Sequence, residues 1–210
     1  MKSMVLNLIK VGILAGMILI VFPQVMFLLQ QGFTPPAAHH PKKGLPPPGV
    51  QYLEKIEDLV LDLTNQARQA RGLAPLLKDE ELTVVARAFS DDMLVRRFFD
   101  HTSPDGVSFD DRITDQYPHR VRVVGENIWY GNGYNPNKIH QVAKEIMADW
   151  LSSPDHRKNL LDPDFTHLGV GISACQQMIR ATQEFVGRSK GLSCAAIKCR
   201  AGTARHKLIV

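Results

Sequence analysis

The chain has 210 residues, of which 44 % are hydrophobic and 22 % are charged, and its formal net charge is +4. This length and composition predict one compact domain with a real core. The modest charge, without a dense run of Lys and Arg or interleaved aromatic and basic residues, argues against a nucleic-acid-binding protein.

Residues 1–30 form a predicted membrane-targeting segment. Lys2 and Lys10 precede an apolar stretch, and no charged residue occurs from Val11 to Thr34. The core of this stretch, residues 11–22, has the length found in signal peptides, whereas the full stretch to Leu29 approaches the roughly 20 residues that span a bilayer. No small-x-small cleavage site follows, which favours an uncleaved signal anchor over a signal peptide. The segment is apolar all round, which argues against a surface helix of a soluble domain.

Either form of this segment exports the residues that follow it. Because lysines tend to remain on the cytoplasmic side, the rest of the chain is predicted to be extracytoplasmic, in the periplasm or the extracellular space. The membrane is therefore the first predicted partner. Residues 31–50 are rich in proline and lack a helical or alternating pattern, so they are predicted to be an extended linker.

The C-terminal region, residues 188–210, is predicted to be a basic tail. It contains no Asp or Glu, and it either touches anionic lipid or wall polymer or is a poorly ordered terminus. Cys194 and Cys199 are close enough in sequence to pair in an oxidising compartment, which leaves Cys175 as a predicted buried thiol on a strand. The spacing of the three cysteines matches no strong zinc pattern.

Three longer helices are predicted between residues 51 and 152. The first ends before Gly72 and Pro75, the second begins near Asp79, and the third is capped by Asn135. Ser108 and Asp111 predict a short helix between the second and the third. The apolar residues that recur at helical spacing are Leu53, Ile56, Val60, Leu63, Ala67 and Ala70 in the first helix, Leu82, Val85, Ala86, Phe89 and Met93 in the second, and Ile139, Val142, Ile146 and Trp150 in the third.

Extended segments are predicted at "VRVVGENIWYG", at "LGVGIS" from Leu168 and at "ATQEFVG" from Ala181. A brief helix is predicted after Ser153 and Pro154, which serve as its cap and first residue. Helices that surround a small sheet indicate the α+β class.

Three polar residues stand where regular structure begins or ends, or where the surroundings are apolar. His101 follows the second helix, Glu126 lies within the apolar extended segment, and His156 occupies the first turn of the brief helix. A carboxylate with apolar neighbours needs a hydrogen bond or an opposite charge. The dipole at a helix N-terminus disfavours imidazolium, so His156 is predicted to be neutral, which is the form that ligates metal.

His101, Glu126 and His156 are therefore candidate ligands of a zinc ion with an open coordination position, since two histidines and a carboxylate form many such sites. A structural polar network is the alternative, and residue types scattered along a chain favour it on spacing alone.

Read together, "FFDHTSPDG", "GENIWYG" and "WLSSPDHRKNLLDPDFTHLGVGI" resemble motifs of a CAP domain, the SCP-like superfamily of cysteine-rich secretory proteins, antigen 5 and pathogenesis-related 1 proteins. The resemblance covers residues 51–187 and is closest to the bacterial branch, which lacks the eukaryotic cysteine framework. It implies an α-β-α sandwich with a central cleft.

The resemblance also implies a cleft lined by two histidines and two acidic residues. By motif, the histidines match His101 and His156, and one acidic residue matches Glu126. The second acidic position is occupied here by Ser153, so the set of four is incomplete, and zinc binding does not follow directly from the family.

Two functions compete on this sequence. The first is a non-catalytic extracytoplasmic module that binds a lipid, a cell-wall component or a partner protein through the cleft, as the resemblance implies. The second is a hydrolase, in which zinc on His101, Glu126 and His156 activates a water molecule. A serine hydrolase that uses Ser152 or Ser153 with His156 is a weaker variant, because these serines are better explained as a helix cap.

Overall fold

The computed structural model describes residues 46–188 and the backbone of residues 207–209. The predicted membrane segment at 1–30, most of the 31–50 linker, the Cys194–Cys199 pair and most of the 188–210 tail lie outside the described residues. None of the helices within the described part of the chain is long and apolar enough to cross a bilayer. Cys175 is a free thiol on a strand, as predicted, but it is half-buried rather than buried because it is the last residue of that strand.

Five α-helices lie within residues 46–188, and a short 3-10 turn at Pro136–Lys138 precedes the fourth. They are α1 (Glu54–Gln69), α2 (Glu80–Val95), α3 (Phe109–Gln116), α4 (Ile139–Ser152) and α5 (Pro154–Leu160). The predicted starts of α2 and α3 are confirmed: the Asp79 carboxylate accepts from the amides of Glu81 and Leu82, and the Ser108 hydroxyl accepts from Asp111 N. These local bonds satisfy amides that the first helical turn leaves free.

The strands are β1 (Val50–Tyr52), β2 (Leu77–Lys78), β3 (Val121–Asn132), β4 (His167–Cys175), β5 (Met178–Arg188) and β6 (Lys207–Ile209). Within the described residues they form one sheet in the order β1-β4-β5-β3-β6, and β2 pairs with β4. The three predicted extended segments became β3, β4 and β5. β1 begins at Val50, the last residue of the predicted linker, and β6 lies in the predicted tail.

Helices cover both faces of the sheet. On one face, Leu168, Val170 and Ile172 of β4 pack into a core with α1 and α4. On the other face, Gly169 and Gly171 bring α2 close: a Cβ on Gly171 would lie 2.1 Å from the Arg87 nitrogen. Because successive strand residues point to opposite faces, this alternation of large side chains and glycine produces the two-sided arrangement. The expected mixed fold with helices and a sheet is confirmed.

The buried face of α1 differs from the predicted stripe. Ile56 and Val60 are buried as expected, but Leu63 and Ala67 are only half-buried and Ala70 is exposed. The buried positions of the last two turns are polar, namely Thr64 and Arg68.

The reason lies in partners distant in sequence. The Arg68 guanidinium donates to the carbonyls of Ala74, Leu160 and Asp162 at 2.9–3.0 Å. The Thr64 hydroxyl accepts from Gln183 Nε2 of β5. A buried polar side chain that is fully bonded in this way can replace an apolar one.

Candidate functional site

The candidate site lies along β3. β6 pairs with β3 only from Val123 to Gly125, and beyond that point no described strand pairs with its outer side. Side chains protect this open edge: Asn159 Nδ2 donates to Glu126 O at 3.0 Å, and Trp150 Nε1 donates to Ile128 O at 3.0 Å. The edge carbonyls are therefore satisfied by α4 and α5 rather than by another strand, which blocks edge-to-edge association.

Glu126 is the centre of the site on the α2 side of the sheet. Its side chain is buried, and both carboxylate oxygens are engaged. Oε1 lies 2.6 Å from His101 Nδ1, and Oε2 accepts from Arg112 Nη2 at 2.6 Å. Two charge-assisted contacts thus balance a carboxylate that is withdrawn from solvent.

Arg112 connects this carboxylate to the loop that carries His101. Its Nη1 donates to the carbonyls of His101 and Val107, both at 3.1 Å, and its guanidinium stacks 3.3 Å from the centroid of the Phe89 ring. One planar cation therefore fixes the loop and the acid together, which an ammonium group could not do with the same geometry. Arg112 was not among the predicted site residues, because a charged residue within a short helix such as α3 is common and gives no sign of a buried partner.

Glu184 is a second acid that the sequence analysis missed. It lies directly opposite Glu126 in the antiparallel pairing of β3 with β5, and it is completely buried. Its carboxyl oxygens make no hydrogen bond within the described residues. Burial, and then the negative charge of Glu126, raise the pKa of Glu184 well above its ordinary value. We therefore treat Glu184 as a neutral acid. Its position within the predicted strand "ATQEFVG" could have indicated a buried acid.

We expect Glu184→Gln to flatten the dependence of stability on pH. A raised pKa means that the folded protein keeps a proton that the unfolded chain releases above its ordinary pKa of 4.5. Stability from this group is therefore present at low pH and is lost as the pH rises through the raised pKa. Glutamine cannot ionise, so the fall in the free energy of unfolding between pH 5 and pH 8 should be smaller in the variant than in the parent chain.

Chemical denaturation at the two pH values measures this effect. Glu145→Gln, which changes an exposed carboxylate of α4, is the matched control. An unchanged pH dependence in Glu184→Gln would show that Glu184 ionises normally.

His156 reaches the site from the other side of the sheet. Its carbonyl accepts from Asn127 Nδ2 at 3.2 Å, and Asn127 in turn accepts from Asn159 Nδ2 at 3.0 Å. Neighbouring strand residues point to opposite faces, so Glu126 and Asn127 hold the two histidine segments on opposite sides of the same strand.

The two imidazoles are close enough for their charges to interact. Burial lowers the pKa of His156, and the neighbouring His101 lowers it further. The neutral form expected from the helix dipole is thus favoured, but burial is the main cause. The stability that this group contributes is present above its ordinary pKa of 6.5 and is lost as the pH falls.

The arrangement does not fit a zinc ion held by His101, Glu126 and His156 together. Both oxygens of Glu126 already bond to protein groups, and one of those groups is a permanent cation. Within the described residues, no three His, Cys, Asp or Glu side chains are grouped closely enough to hold a metal ion. No chemical step is therefore derived through zinc, and the three-residue metal site stays a prediction.

Ser153 stands at the cap position of α5, followed by Pro154 as the first helical residue, as predicted. Its hydroxyl makes no capping hydrogen bond, however, so only the backbone half of the cap is formed. The Ser152 hydroxyl donates to the Asp149 carbonyl of the preceding helix. The fourth cleft position assigned to Ser153 is not an acid here, and Glu184 instead supplies the second carboxyl beside Glu126.

The sequence matches a family model and two curated proteins. The family model described as CAP, the cysteine-rich secretory protein family, matches residues 61–206. The Bacillus subtilis protein YkwD, called uncharacterized, is 39 % identical over 133 residues, which are 63 % of this chain and 47 % of YkwD. The Bacillus subtilis membrane protein YlbC, also called uncharacterized, is 36 % identical over 132 residues and is covered over 34 % of its length. The chain thus matches half or less of each curated relative.

Two solved structures show the same fold. An extracellular protein from Bacillus anthracis that contains an SCP domain aligns with a TM-score of 0.53 and 32 % identity, over 64 % of this chain and 41 % of that one. An outer surface protein from Borrelia burgdorferi aligns with a TM-score of 0.56 over 66 % of this chain and 98 % of its own. Its 19 % identity carries information about the fold alone.

Proposed function

Because the chain belongs to the cysteine-rich secretory protein family, CAP, we propose that its domain is a non-catalytic binding module outside the cytoplasm. Its ligand occupies the cleft around His101, Glu126 and His156. The names of similar proteins support the location, since one is extracellular and one is a membrane protein. The apolar segment at residues 1–30 supports export and a membrane tether.

The observation that carries the proposal is the engagement of both Glu126 oxygens by His101 and Arg112. A general base or a metal ligand needs a lone pair that a substrate or an ion can reach, whereas the Glu126 side chain is fully buried with its two oxygens facing His101 and Arg112. A fixed network of this kind serves to hold other groups in place. The group it holds is the His101 imidazole, which is only partly buried, and the segment of His156 is held separately by Asn127.

The chemistry of the cleft favours a polar ligand. His101 bonds Glu126 through Nδ1, which leaves Nε2 for a ligand, and His156 adds a second imidazole kept neutral by burial. Imidazole nitrogens form directed hydrogen bonds with hydroxyl and amide groups. Among a lipid, a wall component and a protein partner, a cell-wall glycan or peptide therefore fits best, and the other two are outcomes of the test.

We expect His101→Ala to weaken binding of soluble cell-wall fragments by about tenfold, because a lost hydrogen bond of about 1.4 kcal/mol corresponds to that factor. Calorimetry of the full chain in nanodiscs, titrated with wall fragments, measures the change. His140→Ala, which changes an exposed histidine of α4, is the matched control and should leave affinity unchanged. Lipid and protein ligands are titrated in parallel.

The same samples also test the hydrolase. Wall fragments, peptides and esters are incubated with added zinc and then with a chelator, and products are followed by mass spectrometry. Turnover that disappears with the chelator and in His101→Ala would contradict the non-catalytic proposal. The absence of binding to all three ligand classes would contradict it as well.

A further inference from the structure

A second surface, made of residues other than those of the cleft, lies at one end of the sheet. Large hydrophobic side chains are exposed at only four positions among residues 46–188, and three of them are Val95 at 44 %, Phe99 at 42 % and Tyr130 at 55 %. Phe99 and Tyr130 pack edge to face, with ring centroids 4.8 Å apart. We call Val95, Arg97, Phe99, Tyr130 and Arg180 the aromatic end patch.

These residues share one end of the sheet because of the strand register. Tyr130 pairs with Arg180, Arg180 pairs with Ser173, and Ser173 bonds to Asp91 in the last turns of α2. α2 then ends at Val95, and the chain continues through Arg97 to Phe99. The patch therefore combines the end of β3, the start of β5 and the end of α2.

The patch is aromatic and cationic. The Arg180 guanidinium lies 5.7 Å from the centroid of the Tyr130 ring, and its hydrogen bond goes to a backbone carbonyl, Ile179 O, rather than to a carboxylate. Arg97 is exposed. Its neighbour Arg96 is already paired with Asp92 and Asp105 and contributes no free charge.

The chain enters the domain at the same end. Val50 of β1 pairs with Cys175, Cys175 pairs with Met178, and Met178 pairs with Asn132, so these residues form a row two positions beyond the row of Tyr130 and Arg180. The stretch that precedes this entry point contains Lys42 and Lys43, and the apolar segment ends about twenty residues before it. A tether formed by the preceding residues would therefore join the domain at this end of the sheet.

We propose that the aromatic end patch docks on the surface of the anionic bilayer to which the chain is tethered. Tyr and Phe side chains bury apolar area at the headgroup boundary, and arginines without a carboxylate partner are attracted to an anionic surface. Docking through this end leaves the histidine cleft, four residues along β3 at Glu126, beside the bilayer rather than against it. This surface is separate from the cleft and does not depend on what the cleft binds.

Hydroxyl-radical footprinting of the full chain tests the proposal. The chain is placed in vesicles of phosphatidylglycerol and phosphatidylcholine, in vesicles of phosphatidylcholine alone, and in detergent. Leu77, which is 60 % exposed and pairs with His167 at the opposite end of the sheet, is the internal control. We expect the oxidation rates of Phe99 and Tyr130, divided by that of Leu77, to fall at least threefold in the anionic vesicles only.

Several outcomes overturn the proposal. Equal oxidation ratios in the two vesicle types would show that docking does not depend on anionic lipid. A chain that does not float together with either kind of vesicle would show that it is not attached to a membrane. Protection that depends on protein concentration in detergent would indicate that a second copy covers the patch. The double variant Arg97→Gln/Arg180→Gln should restore the detergent ratio in anionic vesicles, while Arg122→Gln, an exposed arginine at the start of β3, should not.

Discussion

Replacing Arg112 with methionine should lower the free energy of unfolding by about 3–5 kcal/mol, the range found when one partner of a buried ion pair is removed. The variant leaves Glu126 buried opposite a second carboxyl group, Glu184, with His101 as its remaining partner. It also removes the two bonds to the carbonyls of His101 and Val107. The loop that presents His101 should therefore loosen as the stability falls.

Denaturation with urea at pH 7 measures the loss, and hydrogen exchange of residues 101–107 reports on the loop. Arg122→Met is the matched control and should change stability by less than about 0.5 kcal/mol, as surface substitutions usually do. Adding Glu126→Gln to Arg112→Met should recover part of the loss, since it removes the unpaired charge. A loss no larger than that of the control would show that Arg112 is not the counter-charge of Glu126.

Gly171→Ala, which adds a single methyl group, should be the most damaging substitution of this kind in the domain. We expect it to lower the free energy of unfolding by more than about 3 kcal/mol or to prevent folding. A Cβ at this position would lie 2.1 Å from Arg87 N and 2.3 Å from Ala86 C, which are backbone atoms and cannot move aside as a flexible side chain can. α2 would have to withdraw from the sheet, and with it the Phe89 ring under Arg112.

Gly133→Ala separates this clash from the general effect of changing a glycine. Gly133 has φ +81° and no atom near its missing Cβ, so its substitution should cost only about 1–2 kcal/mol of backbone strain. Circular dichroism and thermal unfolding of both variants give the comparison. Equal effects would mean that α2 can shift away from β4 at little cost.

Much of the candidate site could be predicted because its residues lie in short local motifs. His101, Glu126 and His156 were identified from segments that resemble the family, and the structure joins the first two directly and brings the third near. The zinc ligand set could not be judged in the same way. Whether these residues could hold zinc depended on which atoms face Glu126. One of those atoms belongs to Arg112, which lies eleven residues after His101 in the sequence and donates to Glu126 Oε2.

What the sequence determined by itself was local. The caps at Asp79 and Ser108, the turn after α2 and the alternation of β4 follow from bonds or contacts between residues a few positions apart, and a pattern of a few letters records them. Only the tertiary structure decided which charges meet. The pKa of Glu184 is raised because the fold buries its side chain completely and because strand pairing sets it against Glu126. Thr64 and Arg68 became core residues because partners about 90 to 120 positions away satisfied them. The energy of a buried polar group depends on its partners in space, and those partners are chosen by the whole fold.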